Sequence, residues 1–106
     1  MAAQPASNST PLAGSGTLVN AWELYNVAVF VNIGSLSNTW ELFNIGTFDN
    51  VGTLGNSGFL VNDWELTNGG TLTNYGALTN SIDATLGNEG MLINSLGATL
   101  DNSGTL

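Results

Sequence analysis

Two glutamates, Glu23 and Glu41, have the residue type and the spacing that chemistry could use. They hold the same place in an 18-residue unit that occurs twice, as AWELYNVAVFVNIGSLSN from Ala21 and as TWELFNIGTFDNVGTLGN from Thr39. If the two units stack as neighbouring parallel strands, the carboxylates lie about 5 Å apart on one face. Paired carboxylates at about that separation act in retaining glycosidases.

The surroundings of the glutamate pair do not favour catalysis. Glu65 repeats the Trp-Glu-Leu context, but at a place that the period assigns to another face. Apart from the tryptophans, which we place inside, no side chain nearby could tune a carboxyl pKa or hold a sugar. Calcium prefers more oxygen ligands than two glutamates supply. We interpret the two residues first as a solvated or cation-bridged acidic pair, with weak calcium binding and catalysis as alternatives, and we predict neither an enzyme nor a cofactor.

Asparagine recurs every six residues and is the strongest signal in the chain. The series runs from Asn20 to Asn80 without a missed step, and after short insertions it reaches its last member at Asn102. Gly and Asn at this frequency disfavour a helix, whereas Asn suits the corner after a short strand. Asparagines stacked about 4.8 Å apart can bond to one another as an amide ladder. We predict such a ladder along Asn20, Asn38, Asn56 and Asn74.

The six-residue beat and the 18-residue unit together predict the architecture. A short period held over most of a chain is typical of a solenoid. Three hexads per coil align Trp22 with Trp40 and Phe30 with Phe48, which a two-sided coil would place on opposite faces. We therefore predict an all-β, three-sided parallel β-solenoid (β-helix) over residues 15–106, with about 18 residues per coil and roughly five coils. Residues 1–14, which hold both prolines, are predicted to be a flexible or docking N-terminal arm.

The predicted core follows from alternation along the strands. Side chains alternate between the two faces of a strand, so each Leu shares a face with the residue two places before it. At that earlier place, each of the first three coils has one tryptophan and two residues no larger than alanine. An interior of fixed cross-section would require this compensation, and in the fourth coil we expect Ile82 to fill the space. The predicted structural core is Trp22, Trp40, Trp64, Leu24, Leu42, Phe30 and Phe48.

The composition limits the partners of the protein. The sequence has no Lys, Arg, His or Cys, and its net charge is −8. No side chain can therefore neutralise the phosphates of a nucleic acid or of an anionic membrane surface. No segment reaches the roughly 20 apolar residues of a membrane-spanning helix. We predict no nucleic-acid partner and no membrane insertion.

The outward positions of the first half of the chain are apolar, whereas those of the second half are mostly Thr, Ser, Gly, Asp and Glu. A large apolar patch on one half of the rod would mark an interface. The alternative is that some of these residues turn inward at the corners. We predict a lateral interface at Tyr25, Phe43 and Phe59.

The two ends of the repeat array carry the same tetrapeptide, Ser-Gly-Thr-Leu. Terminal coils of a solenoid expose unpaired strand edges, which need a polar cap or a partner. Head-to-tail contacts that do not close into a ring produce filaments. We predict that copies of the chain form a homopolymer through subunit ends at Ser15, Leu18, Ser103 and Leu106.

The Gly-Thr-Leu-x-Asn hexads at residues 16–20, 52–56 and 70–74 resemble the β-strand repeats of large bacterial surface proteins, such as haemagglutinin-like adhesins and autotransporter passengers. The resemblance covers nearly all of residues 15–106 and implies a fibrous or adhesive role outside the cell or at its surface. Members of that family usually carry secretion signals, and no signal peptide is visible in MAAQPASNST. Hexapeptide-repeat acyltransferases share the period, but their catalytic His has no counterpart here.

The first function hypothesis is a structural subunit that stacks head-to-tail into an extracellular β-solenoid filament. The alternative is a fragment of a bacterial adhesin or phage fibre shaft that binds glycans through Tyr25, Phe43 and Tyr75. A third is ice binding through the outward residues Thr17, Thr53 and Thr71, although Ser35 interrupts that array.

Overall fold

The computed structural model describes residues 6–8 and 12–106, and these residues form short parallel strands. The strands are β1 (Ala6–Asn8), β2 (Leu12–Gly14), β3 (Thr17–Asn20), β4 (Glu23–Asn26), β5 (Val29–Asn32), β6 (Ser35–Asn38), β7 (Glu41–Asn44), β8 (Thr47–Asn50), β9 (Thr53–Asn56), β10 (Phe59–Asn62), β11 (Glu65–Asn68), β12 (Thr71–Asn74), β13 (Ala77–Asn80), β14 (Thr85–Asn88), β15 (Met91–Asn94) and β16 (Thr99–Asn102).

Every third strand pairs in parallel with the next, and this produces three sheets. The first sheet has the order β1-β4-β7-β10-β13-β16, the second β14-β11-β8-β5-β2 and the third β15-β12-β9-β6-β3. Through β13 the register advances by one 18-residue unit per coil, as in the pairing of Leu24 with Leu42 and of Leu42 with Leu60. The predicted three-sided parallel β-solenoid, with about 18 residues per turn and about five turns, is confirmed.

The core consists mainly of one apolar and one asparagine side chain from each of the strands β4 to β13. From β4 to β13, the second and fourth residues of every strand are buried and the first and third are more exposed. Four residues of the predicted core, Leu24, Leu42, Phe30 and Phe48, are confirmed as buried. The asparagines Asn26 to Asn80 lie inside with them, each at most 3% exposed.

The prediction that the tryptophans fill the core is wrong. Trp22, Trp40 and Trp64 are 43%, 49% and 60% exposed. Each lies at a corner, directly before the first residue of a strand, and the alternation that we extrapolated holds only inside the strand. A Cβ built at an equivalent glycine, Gly34, would overlap the carbonyl of Gly16 in the coil before. The Cβ of a residue at this position therefore points toward the corner of the neighbouring coil and not into the core.

The backbone hydrogen bonds of the Trp40 and Trp64 corners are long toward the preceding coil and short toward the following coil, where Trp40 accepts from Phe59 at 2.6 Å and Trp64 from Thr85 at 2.7 Å. The hydrogen bond from the Glu65 amide to the Gly46 carbonyl spans 3.4 Å, and that from Glu41 to Trp22 spans 3.2 Å. The corresponding bond from Thr53 to Gly34 spans 2.9 Å. The three tryptophans thus lie outside the core, whose buried side chains are Leu, Phe, Asn and Ala84.

The two insertions form turns at corners and leave the coil three-sided. Asp83 and Gly97 have φ angles of 67° and 84°, and the amides of Ala84 and Ala98 bond back to Ser81 and Ser95. Ile82, which we expected to fill the fourth coil, instead projects from the first turn and is 74% exposed. The second turn likewise exposes Leu96.

Strand pairing also extends before Ser15. Strands β1 and β2 lie in the segment that we predicted to be an arm, and they pair with β4 and β5. The remainder of that segment, residues 1–5 and 9–11, lies outside the described residues. The predicted flexibility of the arm therefore stays a prediction. In the part of the chain that is described, no helix has the length and apolar character to cross a membrane.

Candidate binding face and coil ends

The outer surface of the first sheet and the corner before it carry most of the outward aromatic side chains, together with two glutamates. We call the surface formed by Trp22, Glu23, Tyr25, Trp40, Glu41, Phe43 and Phe59 the aromatic–carboxylate face. Glu23 pairs with Glu41 and Tyr25 pairs with Phe43 across β4 and β7. In the next strand, Phe59 follows Glu41 and Val61 follows Phe43. The duplicated Trp-Glu-Leu-aromatic sequence therefore becomes two stacked rows on one face.

Aromatic rings at equivalent positions of successive coils stack in pairs on the aromatic–carboxylate face. The rings of Tyr25 and Phe43 lie 4.9 Å apart with an interplanar angle of 16°. Those of Trp22 and Trp40 lie 6.4 Å apart at 10°. Each ring thus turns one of its faces toward its partner, and aromatic pairs of this kind contribute about 0.5–1.5 kcal/mol beyond their burial.

The two glutamates form a like-charge pair between the aromatic columns. Like charges directly opposite each other across neighbouring strands are destabilising, and the sequence offers no Lys, Arg or His to neutralise them. Partial burial raises the pKa of Tyr25 above its ordinary value of 10.0, and the charges of Glu23 and Glu41 raise it further, as does a hydrogen bond with Glu23. The face therefore combines apolar surface with uncompensated negative charge.

The structure separates the third glutamate of this context from the pair. Glu65 lies in the second sheet and pairs with Thr47 and Thr85, as the period predicted. Among the residues described, no group of three or more Asp, Glu, His or Cys side chains could hold a metal ion. The arrangement of Glu23 and Glu41 is suited to attracting a cation, and no third acidic group joins them.

The remaining outward apolar residues stay outside rather than turning inward at the corners. Val27, Ile33, Ile45 and Val51, each of which directly follows an asparagine, are 49–58% exposed. The predicted interface residues Tyr25, Phe43 and Phe59 are half-buried or exposed. On the third sheet, Thr17, Ser35, Thr53 and Thr71 form one file. That file ends at Met91, so the threonine array is short.

The predicted asparagine ladder is present and has a direction. In each rung, Nδ2 of one asparagine donates to Oδ1 of the asparagine one coil later, as from Asn20 to Asn38, Asn38 to Asn56 and Asn56 to Asn74, at 2.7–2.8 Å. All eleven rungs that the described residues form run this way. The same Nδ2 also donates to a backbone carbonyl of the next coil, as from Asn38 to Phe59.

The direction of the ladder makes the two ends of the solenoid chemically different. At the last coil, Asn88, Asn94 and Asn102 are exposed, and each donates only to a carbonyl of its own corner. At the first coil, the Oδ1 of Asn20 receives no ladder bond among the described residues and accepts only from the backbone amide of Trp22, at 3.4 Å. The last coil therefore offers three amide donors, and the first coil offers the amide oxygen of Asn20.

Apolar side chains at both ends are incompletely covered. Leu18 is 41% exposed and Leu106 is 62% exposed, and the other predicted end residues, Ser15 and Ser103, are exposed too. A hollow of about 210 Å³ opens at the first coil among Gly14, Gly16, Thr17, Leu18, Phe30 and Asn32. Both ends of the solenoid thus expose a leucine side chain, and the first coil also has an open hollow.

Comparison of the chain with protein-family models, with curated proteins and with solved structures found no significant match. The β-solenoid and its asparagine ladder are thus established by the structure, while the resemblance to bacterial surface repeats remains an expectation. Sequence reasoning missed the direction of the ladder, because residue types do not specify which amide donates. It also missed the aromatic stack outside the corner, which the repeated Trp22 and Trp40 could have indicated.

Proposed function

We propose that the protein is a structural subunit whose copies stack head-to-tail into a β-solenoid filament. The main support for this proposal is the asparagine ladder, in which every described hydrogen bond runs in the same direction. A head-to-tail contact that continues the third sheet, whose two edges are β15 and β3, brings the Nδ2 donor of Asn94 to the Oδ1 of Asn20 in the next copy. A contact between two last coils would instead face amide donors with amide donors, and buried unpaired amide groups are costly.

The shape of the first coil also supports stacking. A Cβ added at Gly34 would overlap the Gly16 carbonyl, and one added at Gly52 would overlap the Gly34 carbonyl. A Cβ at Gly16 would meet nothing within 4 Å, because no described coil precedes it there. The space beside Gly16 is the space that the carbonyl of a preceding copy would take. An unpaired strand edge with this shape favours a partner of the same repeat.

Two end-blocked variants test the proposal. Asn88→Asp, Asn94→Asp and Asn102→Asp together replace the donors of the last coil by carboxylates, and Gly16→Asp occupies the space at the first coil. Each variant alone should stay monomeric in analytical ultracentrifugation, and their equimolar mixture should form dimers that grow no further. Contacts between like ends would instead let each variant dimerise on its own. A wild-type chain that stays monomeric at every concentration would refute self-stacking altogether.

Glycan binding is the second candidate function, since Tyr75 is 62% exposed at a corner beside the first sheet. Tyr25 and Phe43 favour it less, because each already uses one ring face for stacking. Quenching of the intrinsic fluorescence by added oligosaccharides tests this alternative. An extracellular or cell-surface location belongs to either candidate and remains a proposal.

A further inference from the structure

The aromatic–carboxylate face is a further exposed surface of the solenoid, distinct from the two coil ends. Trp22, Trp40 and Phe59 are 43%, 49% and 53% exposed. The two tryptophans directly precede Glu23 and Glu41, and Phe59 pairs with Glu41. The backbone of β4 and β7 is already paired on both sides within the sheet. A partner of this face would therefore contact side chains, and not extend the sheet.

A second copy of the chain is a poor occupant of this face. Two such faces packed together would bring four carboxylates out of water, and the chain has no Lys, Arg or His to pair with them. The penalty for burying charges without partners exceeds what the apolar contacts would contribute. The occupant must supply positive charge as well as apolar surface.

We propose that the aromatic–carboxylate face binds a polypeptide segment that carries lysine or arginine side chains. The aliphatic stems of such side chains cover apolar surface while their charged heads reach carboxylates. Cations also interact favourably with exposed aromatic rings, indole above all. Two stacked glutamates between a tryptophan column and a Tyr-Phe column provide both contacts within one patch. The proposal does not depend on filament formation.

A labelled peptide of eight residues, alternating lysine and valine, is the probe for this inference. Its fluorescence anisotropy would be titrated with the full chain, the Glu23→Gln/Glu41→Gln variant and the Asp49→Asn/Glu65→Gln variant. The last is a matched control, because it removes the same number of charges from the second sheet. We expect the first variant to weaken binding about tenfold or more, and the control to change it by about twofold or less. The same peptide with acetylated lysines should not bind.

Three results would overturn the inference. Equal weakening by the two variants would mean that only the net charge attracts the peptide. Undiminished binding of the acetylated peptide would remove the role of the cation. A wild-type dimer that forms without peptide and is dissociated by Phe43→Ser would assign the face to a second copy.

Discussion

Asn50 illustrates how one residue type connects the coils. Its Nδ2 donates to Asn68 Oδ1 at 2.7 Å and to the Thr71 carbonyl at 2.9 Å, and its Oδ1 accepts from Asn32 at 2.7 Å. Leucine and phenylalanine columns supply the apolar burial, but they would tolerate small shifts between coils. The buried amides tolerate none, because each must meet the amide one coil later or remain unpaired.

Replacement of Asn50 by aspartate should therefore be severely destabilising. The carboxylate would face the oxygens of Asn68 and Thr71 in a fully buried site. We expect a loss of about 3–5 kcal/mol in the free energy of unfolding at neutral pH, measured by urea denaturation. The loss should shrink in acid, where the carboxyl group is protonated. Asn88→Asp is the control: Asn88 is exposed, so its loss should be below about 1 kcal/mol at either pH.

Tyr25 reports the negative potential of the aromatic–carboxylate face. Because partial burial and the charges of Glu23 and Glu41 raise its pKa, the folded state holds the phenol proton more tightly than the unfolded state. Tyr25 thus contributes stability below its ordinary pKa of 10.0, and this contribution is lost as the pH rises through the folded value.

An ultraviolet titration of the phenolate can check this in a Tyr75→Phe background, where Tyr25 is the remaining tyrosine. The further exchange Glu23→Gln/Glu41→Gln should lower the pKa of Tyr25. An unchanged titration curve would show that the two carboxylates exert no effect on this ring.

At the scale of the strand and its corner, close approach between successive corners decides which glycines can change. Gly52 lies directly over Gly34, and an added Cβ there would overlap the carbonyl of Gly34. Gly55 lies three residues later, at an outward strand position where an added Cβ would meet nothing within 4 Å. The same residue type thus serves two purposes within one hexad.

The exchanges Gly52→Ala and Gly55→Ala should therefore have opposite effects. We expect Gly52→Ala to destabilise by about 1–3 kcal/mol, as overpacking does. Gly55→Ala should stabilise by about 0.4–1 kcal/mol, since it restricts the unfolded chain at a compatible site. Thermal denaturation of the two variants measures both, and an equal loss in each would contradict the assigned geometry of the corner.

The period of the sequence is sufficient to predict the strands, their register and the ladder, because a regular coil repeats one set of contacts. Leu42 and Phe48 could be placed in the core for that reason. Trp40 could not, because its position relative to the core depends on how the backbone turns at the corner. The relation of Glu23 to Glu41 was predictable from the repeat, whereas their aromatic surroundings depended on the same turn.

For the whole molecule, the distribution of exposed side chains along the solenoid determines where a partner could bind. The chain measures 35 × 27 × 25 Å, and its apolar corners and aromatic–carboxylate face lie in the earlier coils. The later coils expose Thr, Ser and Asp together with scattered large apolar side chains, namely Trp64, Tyr75, Ile82, Met91, Ile93 and Leu96. In a head-to-tail stack, a partner of the aromatic–carboxylate face would bind once per subunit.

Electron microscopy of the purified chain across a concentration series tests head-to-tail stacking most directly. We predict unbranched filaments above a threshold concentration, with a repeat of about 4.8 Å along the axis, because strands of successive copies would continue the same sheets. Gly16→Asp should abolish them, since it blocks the first coil. Single particles no longer than the 35 Å chain at every concentration would contradict the account.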